Sequence, residues 1–214
     1  MTKILGITYI WHGDTAWDQV IIDKPDIVII NPNSGPGKEK QQEILELVRK
    51  LKAFGIKVLG YVPLGWTNRP VAEVLDEANR HKQWYGVDGI FWDEAPTSSG
   101  ALGYLRNVHG FARGSKKTGL SVFNPGTMPA QVTLYTFMIS LPGSIWVTFE
   151  GTESDYYQQQ PKTMFYMDRQ AHIVYAANLG VARSIMQANK VGWKFVTPDT
   201  LPNPFDTWPD RWYN

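Results

Sequence analysis

Cysteine is absent from the 214 residues, and its absence excludes disulfides, thiolate metal sites and a cysteine nucleophile. Blocks of like charge are missing too: 21 basic and 20 acidic residues nearly cancel, and no Lys/Arg cluster would follow a phosphate backbone. The composition therefore argues against a nucleic-acid partner. No apolar run is long enough to span a membrane, and residues 1–10 lack the cleavage site of a signal peptide. We therefore expect a soluble chain without membrane contact.

Motifs that mark several common chemistries are also missing. The four histidines lack H-x-H or H-E-x-x-H spacing, so neither a metal nor another cofactor is predicted, and no G-x-S-x-G nucleophile elbow occurs. The loop "NPNSGPGKEK" (31–40) contains Gly37-Lys38 before a helical segment, which is the one feature that would suggest a phosphate enzyme. It fails the P-loop pattern, because Pro32 occupies the first Gly position and Glu39 the Ser/Thr position. We interpret the loop as a turn.

Eight short apolar runs are present, and they predict eight strands. The runs are nearly continuous in apolar residues, which is typical of strands covered on both faces. They span residues 4–10, 26–32, 57–63, 89–94, 121–127, 144–150, 172–178 and 193–199.

Helical patterns separate several of these runs. Apolar residues recur at helical spacing in "KEKQQEILELVRKLKAFG" and "VAEVLDEANRHKQWYG", and less regularly in "ALGYLRNVHGFARGSKKTG". Alternating strands and helices predict parallel strands with right-handed crossovers, and eight such units predict an α/β fold, a compact (β/α)8 TIM-type barrel. We expect one domain over residues 1–214, with reduced helices after strands 5, 6 and 8. An open doubly wound sheet is the alternative.

The working face of such a barrel lies at the carboxyl ends of the strands. Carboxylates, amides and aromatic rings occur there in almost every unit, and they define a candidate rim. Its acidic members are Asp93, Glu94 and Glu150; its candidate substrate-binding members are Tyr9, Trp11, His12, Asn31, Asn33, Tyr61, Trp66, Trp92, Asn124 and Asn178.

Paired carboxylates among aromatic rings are suited to glycoside hydrolysis, in which one carboxyl protonates the leaving oxygen and the other attacks or activates water. Asp93 and Glu94 are adjacent, and successive strand residues face opposite sides, so both reach one ligand only if the strand ends there. The predicted pair is therefore one of these two with Glu150. Structural roles at helix caps are the alternative for each acid, and Trp92 could equally be a core ring.

Several motifs in one order resemble the spherulin-4-like glycoside hydrolases. They are "NPNSGPG", "GYVPLGWTNRP", "GIFWDEAP", "FNPGT", "TFEG" and the terminal "TPDTLPNPFDTWPDRW". The resemblance covers nearly the whole chain. It implies a (β/α)8 barrel that cleaves within α-1,4-linked galactosamine and N-acetylgalactosamine polymers, with Asp93, Glu94 and Glu150 as its acidic residues. In related galactosaminidase barrels the strand-four Asp and strand-six Glu work together, which favours Asp93 over Glu94.

The expected partner is thus a polysaccharide rich in amino sugars. Members of the family are secreted or bound to the cell surface, so extracellular action is implied, whereas this chain shows no export signal. Release by lysis, or carriage on a larger particle, would reconcile the two. A catalytically inactive carbohydrate-binding or cell-wall-binding barrel is the alternative function, and retention of all three acids argues against it.

Overall fold

The computed structural model of the chain describes residues 3–161, 165–188 and 191–209. Eight parallel strands close into a barrel in sequence order, from β1 next to β2 through to β8 next to β1. The strands are β1 (Lys3–Thr8), β2 (Ile27–Ile30), β3 (Lys57–Pro63), β4 (Gly89–Asp93), β5 (Leu120–Phe123), β6 (Ile145–Thr152), β7 (Gln170–Tyr175) and β8 (Trp193–Val196). The predicted (β/α)8 barrel is confirmed, and the open sheet is wrong.

Seven α-helices follow the first seven strands. They are α1 (Ala16–Asp23), α2 (Gln42–Ala53), α3 (Val71–Arg80), α4 (Leu102–Arg113), α5 (Gln131–Ser140), α6 (Glu153–Gln159) and α7 (Leu179–Gln187). Within the described residues no helix follows β8, and α6 has seven residues, as expected for a trimmed barrel. The unit after β5 is less reduced than expected, because α5 has ten residues.

The core has two layers because alternate strand residues face opposite sides. Inward residues such as Ile7, Phe91 and Ile173 fill the barrel, whereas outward residues such as Trp92 and Trp146 pack against the helices. Both layers are closed to solvent, so the open carboxyl end of the barrel is where polar side chains can meet a ligand. No helix in the described ranges is long and apolar enough to cross a membrane.

Candidate active site

A β-bulge in β6 turns Glu150 toward the barrel mouth. In the pairing of β6 with β7, Val147 lies opposite Ala171 and Phe149 lies opposite His172, so Thr148 is an extra residue in β6. The insertion reverses the alternation beyond it, and Glu150 then pairs with the inward-facing Ile173. Without the bulge Glu150 would face the helices.

Asn124 joins the two acids that the sequence analysis paired. Its side-chain nitrogen Nδ2 donates to Asp93 Oδ1 at 2.9 Å and to Glu150 Oε2 at 2.7 Å. Asp93 ends β4, Asn124 directly follows the neighbouring β5, and Glu150 lies two residues before the end of β6. The two carboxylate oxygens are therefore no farther apart than two hydrogen-bond lengths.

Asp93 is held by further donors that favour its charged form. The Tyr61 hydroxyl donates to Asp93 Oδ2 at 2.7 Å. Burial raises the pKa of Asp93 and is the largest effect, and the Glu94 charge adds to it; hydrogen bonds from Tyr61, the Glu94 backbone and Asn124 act in the opposite direction. The rise that burial causes in the pKa of Asp93 is thus partly offset by these hydrogen bonds.

Glu150 has fewer compensating contacts. Burial raises its pKa from 4.5 to about 7, the hydrogen bond from Asn124 opposes the rise, and the charge of Asp93 adds to it. A large part of Glu150 is therefore protonated near neutral pH. Two close carboxyl groups in unlike surroundings are the arrangement that separates a proton donor from an ionised partner.

Left-handed backbone lets two consecutive acids face one cavity. β4 ends at Asp93, and Glu94 has φ 50°, which turns its side chain to the same mouth instead of the opposite face. The Glu94 carbonyl accepts a hydrogen bond from the Trp66 backbone at 2.8 Å, and Trp66 is itself left-handed with φ 51°. Such backbone is costly for residues other than glycine and is often retained at functional sites.

Two adjacent cavities that share several lining residues occupy the mouth. One, of about 260 Å³, contains all three acids together with Trp66 and Asn124. The other, of about 770 Å³, brings Tyr9, Asn31, Asn33 and Tyr61 around Glu150. Tyr9 borders both, and its ring meets the Tyr61 ring edge to face at 5.5 Å between centroids. The structure therefore assembles most of the predicted rim.

Tyr61 is positioned from behind by a buried histidine. His81 begins a short π-helix (His81–Tyr85) after α3, and its Nε2 lies 2.8 Å from the Tyr61 carbonyl oxygen. Burial lowers the pKa of His81 to about 4, so the ring is neutral and its N–H donates to that carbonyl. The ring fits only because residue 60 is glycine: a Cβ there would lie 2.4 Å from it.

The interpretation of Trp92 as a ligand-stacking ring is wrong. Its side chain is completely buried between the barrel and the helices, and its indole nitrogen donates to Ser121 Oγ at 3.1 Å. The reason is strand alternation: because Asp93 points inward at the mouth, the preceding residue points outward. Trp92 is a core ring.

Two predicted binding amides have other partners. Asn178 caps α7, where its Oδ1 accepts from the Val181 backbone, and its Nδ2 donates to Glu153. It lines neither cavity of the mouth. Asn124 lines the cavity of the acids, but both of its amide hydrogens go to carboxylates, so it has none to donate to a sugar.

Trp11 and His12 lie apart from the acids. They line a separate cavity of about 170 Å³ between the ends of β1 and β2 and the first two helices, where Tyr9 and Asn31 also contribute. The Trp11 side chain is 67% exposed. Their position after β1 predicts a place on the rim but gives no sign of this separate, third cavity.

Other rim residues were missed by the sequence analysis. Tyr175 ends β7 and lines the larger cavity, as does Phe205 from the segment after β8. Tyr175 is at the end of its strand, but the predicted run 172–178 continues three residues beyond it and places the strand end at Asn178. Phe205 lies in irregular chain that periodicity cannot place, and its carbonyl accepts from the Tyr9 backbone at 2.8 Å. Phe205 belongs to the terminal motif "TPDTLPNPFDTWPDRW", whose last three residues, 210–212, lie outside the described residues.

Among the described residues, no group of three or more His, Cys, Asp or Glu side chains is placed to hold a metal ion. The acids at the mouth are instead paired through an amide, with tyrosine and tryptophan rings around them.

Fold and mouth together define a (β/α)8 barrel with an amide-bridged Asp/Glu pair at its carboxyl end. The chain belongs to spherulation-specific family 4, whose model matches residues 3–214. The family-level resemblance in the sequence motifs is therefore confirmed. Spherulin-4 of Physarum polycephalum is 34% identical over 135 residues, a match that covers 60% of this chain and 40% of that protein.

Solved structures with the same fold include two carbohydrate-related proteins. Aspergillus clavatus Sph3, solved in complex with GalNAc, superposes with a TM-score of 0.84 at 23% identity, covering 99% of this chain and 94% of that one. A GH18 chitinase from Pseudoalteromonas aurantia gives a TM-score of 0.60 at 11% identity, covering 91% and 93%. At sequence identities this low, the similarity to these two structures shows a shared barrel fold.

Proposed function

We propose that the protein is a glycoside hydrolase that cleaves within α-1,4-linked polysaccharides containing galactosamine and N-acetylgalactosamine. The observation that carries the proposal is the Asp93/Glu150 pair, joined by one amide nitrogen and placed in unlike surroundings. The amino-sugar part of the proposal is supported by the family motifs and by the GalNAc complex of Sph3.

Glu150 is the proposed general acid, because its raised pKa keeps a proton available near neutral pH. It protonates the glycosidic oxygen as the bond to the anomeric carbon breaks. Asp93 is the proposed nucleophile, since the Tyr61 and Asn124 donors favour its ionised form. It attacks the anomeric carbon and forms a glycosyl ester, and Glu150 then removes a proton from the water that hydrolyses the ester.

The spacing of the two acids favours retention of anomeric configuration. Retaining enzymes have carboxyl groups about 5 to 5.5 Å apart, whereas inverting enzymes leave about 6.5 to 9.5 Å for a water molecule. A single amide nitrogen within hydrogen-bond distance of both acids is compatible with the shorter separation. Glu94, on the same cavity, would attract the positive charge of a deacetylated sugar.

The test is reducing-end release from a galactosamine/N-acetylgalactosamine polymer by the full chain and by Asp93→Asn and Glu150→Gln. Each variant should lose at least about 100-fold in turnover, whereas Glu46→Gln, which changes an exposed helical acid, should not. Full activity in both active-site variants would overturn the mechanism. Binding of the polymer without release of ends by the wild type would instead support a binding module.

A fully deacetylated polymer separates two retaining routes. In some glycosidase families the acetamido group of the substrate replaces the enzyme nucleophile. Cleavage of a substrate without acetamido groups would support Asp93 as the attacking group. Strict dependence on acetylation at the cleavage point would reassign Asp93 to orienting the substrate.

A further inference from the structure

The cavity at Trp11 and His12 borders the mouth, although none of the acids lines it. Tyr9 and Asn31 line both this cavity and the larger cavity around Glu150. Tyr9 also lines the cavity of Asp93 and Trp66. A molecule lying along the three cavities would therefore pass over Tyr9.

The two ends of this path lie far apart around the barrel. The acids come from β4 and β6, on either side of β5, and β5 stands opposite β1 in a closed ring of eight strands. Trp11 and His12 follow β1. The path thus crosses the mouth, which is the shape that a polymer cleaved internally would require.

The Trp11 ring is exposed but firmly held. It packs on the His12 ring with 4.1 Å between centroids. The Trp11 carbonyl accepts hydrogen bonds from the buried Trp17 indole and from the Asp14 backbone, both at 3.0 Å. Single exposed apolar residues are common on proteins. Trp11 differs in that its backbone is hydrogen-bonded, the tilted His12 ring packs against it, and the adjoining cavity contains the amide of Asn31.

We propose that Trp11, His12 and Asn31 form a distal subsite for a sugar residue of the same polysaccharide chain, several units from the cleaved bond. The inference rests on the proposed function. The indole face contacts the apolar face of the sugar ring, and the imidazole and amide are the polar groups that bond its hydroxyls. The subsite binds ground state and transition state equally, so it lowers KM without changing kcat.

The experiment compares wild type, Trp11→Ala and Trp11→Phe on the long polymer and on oligosaccharides too short to reach from the acids to β1. We expect Trp11→Ala to raise KM on the polymer about tenfold, equivalent to about 1.4 kcal/mol, with kcat unchanged. On the short substrates the KM of Trp11→Ala should equal that of the wild type. Trp11→Phe should recover most of the loss because it restores a ring.

Phe54→Ala is the matched control. Phe54 is also an exposed ring, at 48%, but it follows α2 at the opposite end of the barrel, beside the start of β3. The KM of the Phe54→Ala variant on the polymer should stay at the wild-type value. Equal KM values for Trp11→Ala and wild type on the long polymer would refute the subsite while leaving the proposed function intact.

Polymer retardation in native gels separates failure of the subsite from failure of the function. If the wild type releases no reducing ends but is retarded by the polymer, and Trp11→Ala is not, then the proposed hydrolysis is wrong and the subsite stands. If the wild type is neither active nor retarded, both are refuted. Retardation that is equal in the two proteins would refute the subsite alone.

Discussion

Replacing Glu150 by glutamine should change how the free energy of unfolding depends on pH, whether or not the protein has a substrate. The pKa of Glu150 is about 7 in the folded chain and 4.5 as its ordinary value. At about 1.4 kcal/mol per pKa unit, ionising Glu150 in the folded state costs about 3 kcal/mol of stability. The folded state holds its proton more tightly, so stability is lost as pH rises from 4.5 and the loss is complete above about 7.

Urea unfolding at pH 4.5 and pH 8 measures this cost. Glu150→Gln keeps an oxygen that accepts from Asn124, and its side chain cannot ionise. The difference in free energy of unfolding between the variant and the wild type should therefore shift in favour of the variant by up to about 3 kcal/mol from pH 4.5 to pH 8. Buried His81 and His109, whose pKa values are lowered to about 4, titrate in both proteins and cancel in the comparison. Asp93 is also present in both.

The exposed acid variant Glu46→Gln serves as the control and should follow the wild type at both pH values. If Glu150→Gln also runs parallel to the wild type between pH 4.5 and 8, then Glu150 ionises normally and the assignment of the general acid is lost. A gain at pH 8 confined to Glu150→Gln would show that the acid at the mouth is held protonated at a cost to stability.

Three other outcomes are expected. Initial rates should fall as pH rises through about 7, when Glu150 loses the proton it donates; a flat profile from pH 5 to 9 would exclude this role. Tyr61→Phe removes a hydrogen bond that lowers the pKa of Asp93. The acidic limb of the plot of kcat against pH should therefore shift to higher pH, and kcat should fall about tenfold. Gly60→Ala drives a methyl into the His81 ring and should cost about 1 to 3 kcal/mol in urea unfolding, and unchanged stability would contradict that packing.

The barrel could be predicted because its signals are local. Each strand is a short apolar run that stands out from its flanks, and the order of runs and helices fixes the topology. The weakest signal was at α5, where Leu134 and Phe137 are buried but Val132, Tyr135 and Ile139 are exposed. Apolar residues on several faces give no amphipathic stripe, so the sequence pattern predicts a shorter helix than the structure has.

The acids at the mouth could be located by the strand-end rule, but their geometry could not. Strict alternation would have excluded Trp92 once Asp93 was placed inward. The same rule applied to β6 would have turned Glu150 outward, and only the bulge at Thr148 prevents this. Neither that insertion nor the left-handed Glu94 has a sequence signal, because both depend on contacts with neighbouring strands.

The bridging amide determines which side chains its position tolerates. Both hydrogens of Asn124 Nδ2 go to different carboxylates, and its Oδ1 accepts from the Gly126 backbone at 3.1 Å. Aspartate would put a third negative charge between the acids, serine would be too short to span them, and glutamine would force them apart by a methylene. The spacing of the two acids is thus held by one atom of a side chain that follows β5, a strand that carries neither of them.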